Sequence, residues 1–444
     1  MHLLRNTVRP YPWGSPTAIA DLLGRAPGGG PEAELWIGAH SDSPSVAVRP
    51  EGDPVPLDAL IAEDPVHHLG RAVHERFGGH LPFLVKVLAA ESALSLQVHP
   101  TREQAAAGYA AENAAGIPAG APHRNYKDAN HKPEMILALT TFEALCGFRP
   151  PEESSAVFAG LAELLPADSE ESLFLATVAA DLRSGDRPSA VRQERSPGAG
   201  LRAAFSRLAT ERRSAGSALA AVTGLSGTGG SALEQDLRTV AELDAEHPGD
   251  PGVLIALLLN RVALRPGQAL YLPAGNIHAY LHGLGIEVMA SSDNVLRGGL
   301  TTKHVDVPEL LKTVVFEPLA PPVLAPERTA PGQELFRPPF EEFQLQLLRL
   351  EPGTANGRGA PSRAQLVQEG PVVVLAVTGD VDVQAGPERL TLPRGESVFV
   401  PAAESPVVLS AGSSDAPAGG TLAVAVTVAR GAAAPPGSSP GVPG

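Results

Sequence analysis

Through the first 150 residues, apolar positions come in short runs: ELWIGAH at 34–40, SVAV at 45–48, PFLVKVLAA at 82–90 and ALSLQVHP at 93–100. Runs of this length, separated by glycine, proline and aspartate, predict strands and turns. An alanine-rich stretch, TREQAAAGYAAENAA at 101–115, interrupts them and predicts a helix, with Thr101 placed to cap it and Glu103 in its first turn. Between about 151 and 250 the period changes. SSAVFAGLAELL, ESLFLATVAADL, AGLRAAFSRLATERR and SALEQDLRTVAEL space their apolar residues as helices do, with RSGDRPSAV and GLSGTGG as linkers. After GDPGVLIALLLN short strand-like runs return, and 327 to about 428 reads almost wholly as strands and turns. The last stretch, GAAAPPGSSPGVPG at 431–444, has too little to bury and predicts a disordered tail.

An internal repeat sharpens this reading. RPGQALYLPAGNIHA (265–279) and PRGESVFVPAAESPV (393–407) align without a gap, pairing Gly267 with Gly395, Tyr271 with Phe399 and Pro273 with Pro401. A turn glycine, a buried strand, a proline and a second turn occur in both, as they would at the same corner of two jelly-roll barrels. The expected fold is therefore mainly β: two barrels with an inserted helical segment. Residues 1–150 and 251–320 would form one discontinuous domain, 151–250 the helical insertion and 321–430 the C-terminal barrel. Opposite His278 the second copy has Pro406, which offers no ligand atom, so any metal belongs to the first barrel.

Composition narrows the classes. At 444 residues with 43% apolar content the chain can build more than one core. Cys146 is the only cysteine, which excludes an intrachain disulfide and fits a reducing compartment, with the cytoplasm as the expectation. The N-terminus has no signal-peptide core. The longest apolar run, Val253 to Leu259, falls far short of the roughly 20 residues that cross a bilayer, so no membrane role is expected. A net charge of −15 opposes nucleic-acid binding and would repel an anionic metabolite unless a few cations are concentrated in one pocket. A monomer is the default expectation.

The charges that stand out are those set into apolar runs. In DANHKPEMILAL (128–139), alternation puts Lys132 and Glu134 on one face and His131 on the other. Gln97 and His99 share a face in LSLQVHP. Taken singly, each is more often a satisfied core or surface residue than a ligand. Gln97, His99, Glu134 and His278 together supply two imidazoles, a carboxylate and an amide oxygen, a set suited to zinc or another divalent first-row metal. Lys86 in PFLVKVL is costly among apolar neighbours unless its amine reaches a partner or an anion; the plain alternative is a lysine snorkelling to the edge. Lys132 either pairs with Glu134 or is free for substrate. Arg297 and Lys303 lie in SSDNVLRGGLTTKH, which also reads as an ordinary solvated loop. Glu287 in GIEVMA is a general-base candidate whose pKa its apolar neighbours would raise, or one half of a buried salt bridge.

LSLQVHP, NHKPEM, LPAGNIHAYL and IEVMASSDNVLRGGLTTKHVDVPEL, together with YPWGS and ELWIGAH, resemble the type I mannose-6-phosphate isomerases from about residue 10 to 320. The resemblance implies cupin barrels with a helical insertion, one zinc ion per chain, and interconversion of mannose 6-phosphate and fructose 6-phosphate through a cis-enediol. It implies that Gln97, His99, Glu134 and His278 ligate the zinc, that Lys132 and Glu287 line the pocket and that Arg297 is catalytic; the chemistry adds Glu287 as proton shuttle and Lys132 as a catalytic cation. Lys303, Ser95 and Lys86 fall where substrate is met, with Lys303 the choice for the phosphate. The chain departs from the usual family pattern in reading YPWGS for YAWGS and LTTK for LTPK. The partner is thus a small sugar phosphate. Two rival readings are another metal-dependent cupin enzyme, such as an iron oxygenase, and a catalytically silent sugar-phosphate-binding protein.

Overall fold

The computed structural model describes residues 1–49, 52–184, 198–225, 233–351, 363–412 and 420–429; the tail expected over 431–444 and most of the two helical linkers lie outside them. The chain is largely sheet with helices, in two compact units: residues 1–7, 37–84 and 326–444 form one, and 8–36 and 85–325 the other. The division in space therefore differs from the division expected along the chain, because 1–7 and 37–84 join the C-terminal unit. The cause is strand pairing across the whole sequence. His2–Arg5 lies antiparallel between Ser397–Val400, with His2 opposite Phe399, and Val46–Val48, with Leu4 opposite Ala47.

In the C-terminal unit a nine-stranded sheet and a four-stranded sheet are described. Alternation along Val381–Ala385 buries Val381, Val383 and Ala385, which join Leu348, Val374, Val398 and Leu409 in one apolar core. Strands from Glu327–Ala330 to Thr421–Thr427 bear out the sequence pattern, with a single 3-10 turn at Ala402–Glu404 among the described residues.

The other unit holds most of an eleven-stranded sheet and, among the described residues, every α-helix except Leu57–Glu63, Pro65–Leu69 and Arg71–Phe77. Arg102–Ala114 starts on a capping box in which Thr101 accepts from the Gln104 amide and Gln104 returns a bond to the Thr101 amide, so Gln104 and not Glu103 completes the cap. Pro151–Glu163 opens on proline followed by Glu152 and Glu153, which suit a helix N-terminus, and buries Val157, Phe158 and Leu161 at helical spacing. These join Leu175, Val178, Leu201, Phe205 and Leu219 in a core shared by the helices of the insertion. The apolar run from Val253 divides between a short helix, Gly252–Ala256, and the strand Leu259–Leu264.

The repeated corner is the same in both copies. Gly267 (φ 86°) and Gly395 (φ 83°) both take the left-handed conformation that favours glycine. Gly267 N–H donates to Ala138 at 2.8 Å and Gly395 N–H to Ala376 at 2.8 Å. Gln268 closes its turn on Arg265 at 2.9 Å and Glu396 on Pro393 at 3.0 Å.

One strand organises the unit of 8–36 and 85–325. His278–Ala290 pairs through its first residues with Phe142–Phe148 and through Gly285 to Met289 with Glu134–Ala138. The register slips between Tyr280 and His282, and Gly283 follows at φ 125°, where an added Cβ would stand 2.6 Å from the Thr141 carbonyl. Residues nine apart on a regular strand face opposite sides. A bulge offsets the alternation by one residue, and His278 and Glu287 consequently line the same cavity.

Candidate metal centre and active site

Three strands deliver the metal-ligating candidates. Gln97 is the middle residue of Leu96–Val98, opposite His278 on one side and Arg297 on the other, so the three side chains share a face. His99 follows that strand directly. Glu134 opens Glu134–Ala138 opposite Met289, whose alternation puts it on the same side as Glu287. His99, Glu134 and His278 are all buried, and each offers a ligand atom within 4.8 Å of the others. The Nε2 atoms of His99 and His278 lie 3.3 and 3.4 Å from Glu134 Oε2.

Proton positions follow from the second nitrogen of each ring. His99 Nδ1 is 2.8 Å from the Asn294 carbonyl and His278 Nδ1 is 3.1 Å from the Asn276 carbonyl. A carbonyl only accepts, so both rings carry the proton on Nδ1 and turn the Nε2 lone pair toward the carboxylate. Burial also depresses the His99 pKa, which keeps the ring neutral. Its Nε2 is a buried atom with no hydrogen-bond partner. Two imidazole lone pairs and a carboxylate oxygen converging at this range repel one another unless a cation sits among them, and a divalent metal fits this N and O set. Gln97 lines the same cavity.

Two lysines complete the charge pattern. Lys132 precedes the Glu134 strand and donates to the other carboxylate oxygen, Oε1, at 2.8 Å. Although burial pushes Glu134 the other way, Lys132 holds it well below the usual carboxylate range. His131 turns away and lies 2.9 Å from Arg102. Lys86 stands between Glu34 (3.4 Å) and Glu287 (3.2 Å), with its Nζ 5.0 Å from the centre of the Trp36 ring. Burial opposes its charge, but Glu34, Glu287 and Glu134 hold it above the ordinary lysine range. Trp36 Nε1 donates to the second oxygen of Glu34 at 2.7 Å. Burial raises the Glu287 pKa, with Lys86 opposing and Glu134 adding to the rise. Glu34, Lys86, Gln97, Lys132, Glu134, His278, Tyr280 and Glu287 surround a cavity of about 40 Å³. Ligand clefts run to about 300–1,000 Å³, so this cavity is smaller than a whole ligand site.

At the rim, Arg297 is half-buried and makes no ion pair among the described residues; loss of water lowers its pKa. Lys303 is exposed, and partial desolvation and then the Arg297 charge lower its pKa. Two cations that sense each other without a carboxylate suit an anion. Ser95 is half-buried ahead of the Gln97 strand and makes no side-chain hydrogen bond among the described residues.

Most sequence candidates therefore converge. Lys86 differs from its expected place at the substrate, since its amine is held by internal carboxylates. Glu34, Trp36 and Tyr280 were missed. Glu34 carried the same signal as Lys86, a charge opening an apolar strand, and Tyr280 follows His278 at strand alternation. Burial first, and then Glu287, raise the Tyr280 pKa well above the ordinary value.

The chain was compared with known proteins. Residues 1–151 match the family model for the phosphomannose isomerase type I catalytic domain. The mannose-6-phosphate isomerase of Escherichia coli is 39% identical over 411 residues, 92% of this chain and 97% of that one. That of Salmonella typhimurium is 40% identical over 409 residues, 92% of this chain and 96% of its own. A crystal structure of the Salmonella typhimurium enzyme bound to its substrate f6p and zinc superposes with a TM-score of 0.81 at 35% identity, covering 97% of this chain and all of that one. A structure of mannose 6-phosphate isomerase bound with zinc and yttrium matches with a TM-score of 0.80. With this identity over nearly the whole length, and a buried His, Glu, His group where a metal fits, the chain belongs to the type I mannose-6-phosphate isomerase family.

Proposed function

We propose that the chain is a zinc-dependent aldose–ketose isomerase that interconverts mannose 6-phosphate and fructose 6-phosphate. The observation that carries this is the convergence of His99, Glu134, His278, Lys132 and Glu287 on one buried cavity. Gln97, His99, Glu134 and His278 hold one Zn²⁺ ion per chain. When bound, the ion supplies Lewis-acid stabilisation to oxygen that becomes negative during the reaction.

The isomerisation moves a proton from C2 to C1 through a cis-enediol, while the O2 hydroxyl gives up its proton and O1 gains one, so no electrons leave the sugar. Glu287 is the shuttle for the carbon-bound proton: a carboxylate with a raised pKa accepts and returns a proton more evenly than an ordinary one. Lys132 and Arg297 hold the hydroxyl and carbonyl oxygens. Lys303, with Ser95, anchors the phosphate, and binding energy at that remote group orients the reacting carbons. Lys86 contributes from beneath, by holding Glu287.

The catalytic domain is a cupin barrel built within 8–36 and 85–325 and interrupted by the helical insertion 151–250, and the unit that joins 1–7 and 37–84 to the C-terminal strands forms a second, metal-free cupin-like barrel. The repeated corner supports this pairing. The chain acts in the cytoplasm as a monomer on a small sugar phosphate; among the described residues no helix is long and apolar enough to cross a membrane. Metal content measured beside a coupled assay for fructose 6-phosphate turnover tests the reading. One zinc per chain with turnover supports it, and a metal-loaded protein that binds the sugar phosphate without turning it over would sink it.

A further inference from the structure

We infer that Asn294 is a positioning residue for the metal group and for the cations beside it; the inference rests on His99, Glu134 and His278 being the metal ligands. Asn294 is fully buried, and its main-chain carbonyl accepts the Nδ1 proton of His99 at 2.8 Å. Its side chain engages a different segment. Oδ1 accepts the amides of Lys127 (2.6 Å) and Asp128 (3.3 Å), and Nδ2 donates to the carbonyls of Asp128 (2.8 Å) and Asn130 (2.7 Å). Ser292 doubles the link. Its hydroxyl lies 2.9 and 3.1 Å from the carboxylate oxygens of Asp128 and 3.1 Å from the Asn130 carbonyl. Asp128 also accepts the Asp293 amide at 2.8 Å.

The first clamped segment runs straight into Lys132 and Glu134, and the second into Arg297. A buried carboxamide with its acceptor and both donors engaged has one orientation, and turning it would leave buried peptide groups unpaired. The clamp thus fixes the Asn294 peptide plane. That plane fixes which His99 nitrogen bears the proton and where Nε2 points. A metal ligand, the carboxylate that faces it and the rim arginine are in this way registered to one another through a single side chain that touches none of the reacting atoms.

The test compares wild type with Asn294→Ala, Asn294→Asp and Ser292→Ala. Three quantities are read: the Zn²⁺ dissociation constant by competition with a chromophoric chelator, the visible spectrum of the Co²⁺-loaded protein, and kcat and KM for mannose 6-phosphate. Asn294→Asp preserves shape but turns an oxygen toward the carbonyls of Asp128 and Asn130. Both Asn294 variants are expected to weaken Zn²⁺ about 10- to 100-fold, to shift the Co²⁺ bands and to lower kcat/KM. Should they fail to fold, Ser292→Ala carries the test, with an expected weakening of about threefold and a shifted spectrum. A folded variant with wild-type Zn²⁺ affinity and a wild-type Co²⁺ spectrum overturns the inference. His99→Ala is the control: if that variant keeps the zinc, the ligand assignment itself has failed, an outcome distinct from an Asn294 variant that keeps it beside a His99 variant that does not.

Discussion

Lys86 and Glu287 form an ion pair inside the protein, Nζ to Oε2 3.2 Å, and each side chain is less than a tenth exposed. Glu34 stands on the other flank of the same ammonium at 3.4 Å. The second carboxylate matters to a proton shuttle. When Glu287 takes up a proton it ceases to neutralise Lys86, and a buried ammonium without a partner would cost several kcal/mol. Glu34 remains as its counter-charge, so protonation of Glu287 is tolerated.

Glu287→Gln keeps the shape and removes the base. The expected result is a fall in kcat of about 10²- to 10⁴-fold with little change in KM, measured by steady-state coupled assay. A variant retaining wild-type kcat would remove Glu287 from proton transfer. Glu34→Gln acts through Lys86, which then has only Glu287 to neutralise it. The charged form of Glu287 gains, its pKa falls, and the acid limb of kcat/KM against pH moves to lower pH. A limb that moves up, or stays, contradicts this arrangement.

Lys132→Ala leaves Glu134 ionised, buried and without its ammonium. In metal-free protein the loss is expected to be about 3–5 kcal/mol at pH 7, read by urea unfolding. The sign follows from the depressed Glu134 pKa. Its favourable contribution is present above the unfolded-state pKa and disappears as the pH falls through the folded-state value, so the gap between variant and wild type should close in acid. Equal stability at neutral pH would mean the pair contributes nothing.

Arg297 and Lys303 should separate by kinetic signature. If Arg297 acts on the transition state as proposed, Arg297→Ala should depress kcat far more than it raises KM. If Lys303 is the proposed phosphate anchor, Lys303→Ala should raise KM about tenfold or more, with kcat changed less. Exchanged signatures would exchange the roles.

His278→Ala should release the metal from the purified protein, as elemental analysis will show. Pro406→His, at the matching corner of the second repeat, should bind none. The positions that answer to Gln97, His99 and Glu134 have no ligand counterparts identified in the C-terminal strands. Two metals per chain in that variant would contradict the reading.

How much of this was legible in the sequence depended on distance along the chain. The helix after Thr101, the helical insertion and the twin corners were all local patterns, and the structure contains them. Gln97 with His99, and the cost of Lys86, were legible because alternation and burial are local too. The nearness of His278 to Glu287 was hidden by a bulge that reverses the parity of one strand. Glu34 opposite Lys86, Asn294 behind His99, and the return of His2–Arg5 to Ser397–Val400 are long-range pairings that no periodicity encodes.

The twin corners have a last consequence. At the Gly267 and Gly395 turns they use the same backbone bonds, yet one copy ends in an imidazole and the other in a pyrrolidine ring. The architecture of that bend is thus indifferent to whether it bears chemistry. Duplication of such a module yields a copy free to become pure scaffold, and the chain holds both fates side by side.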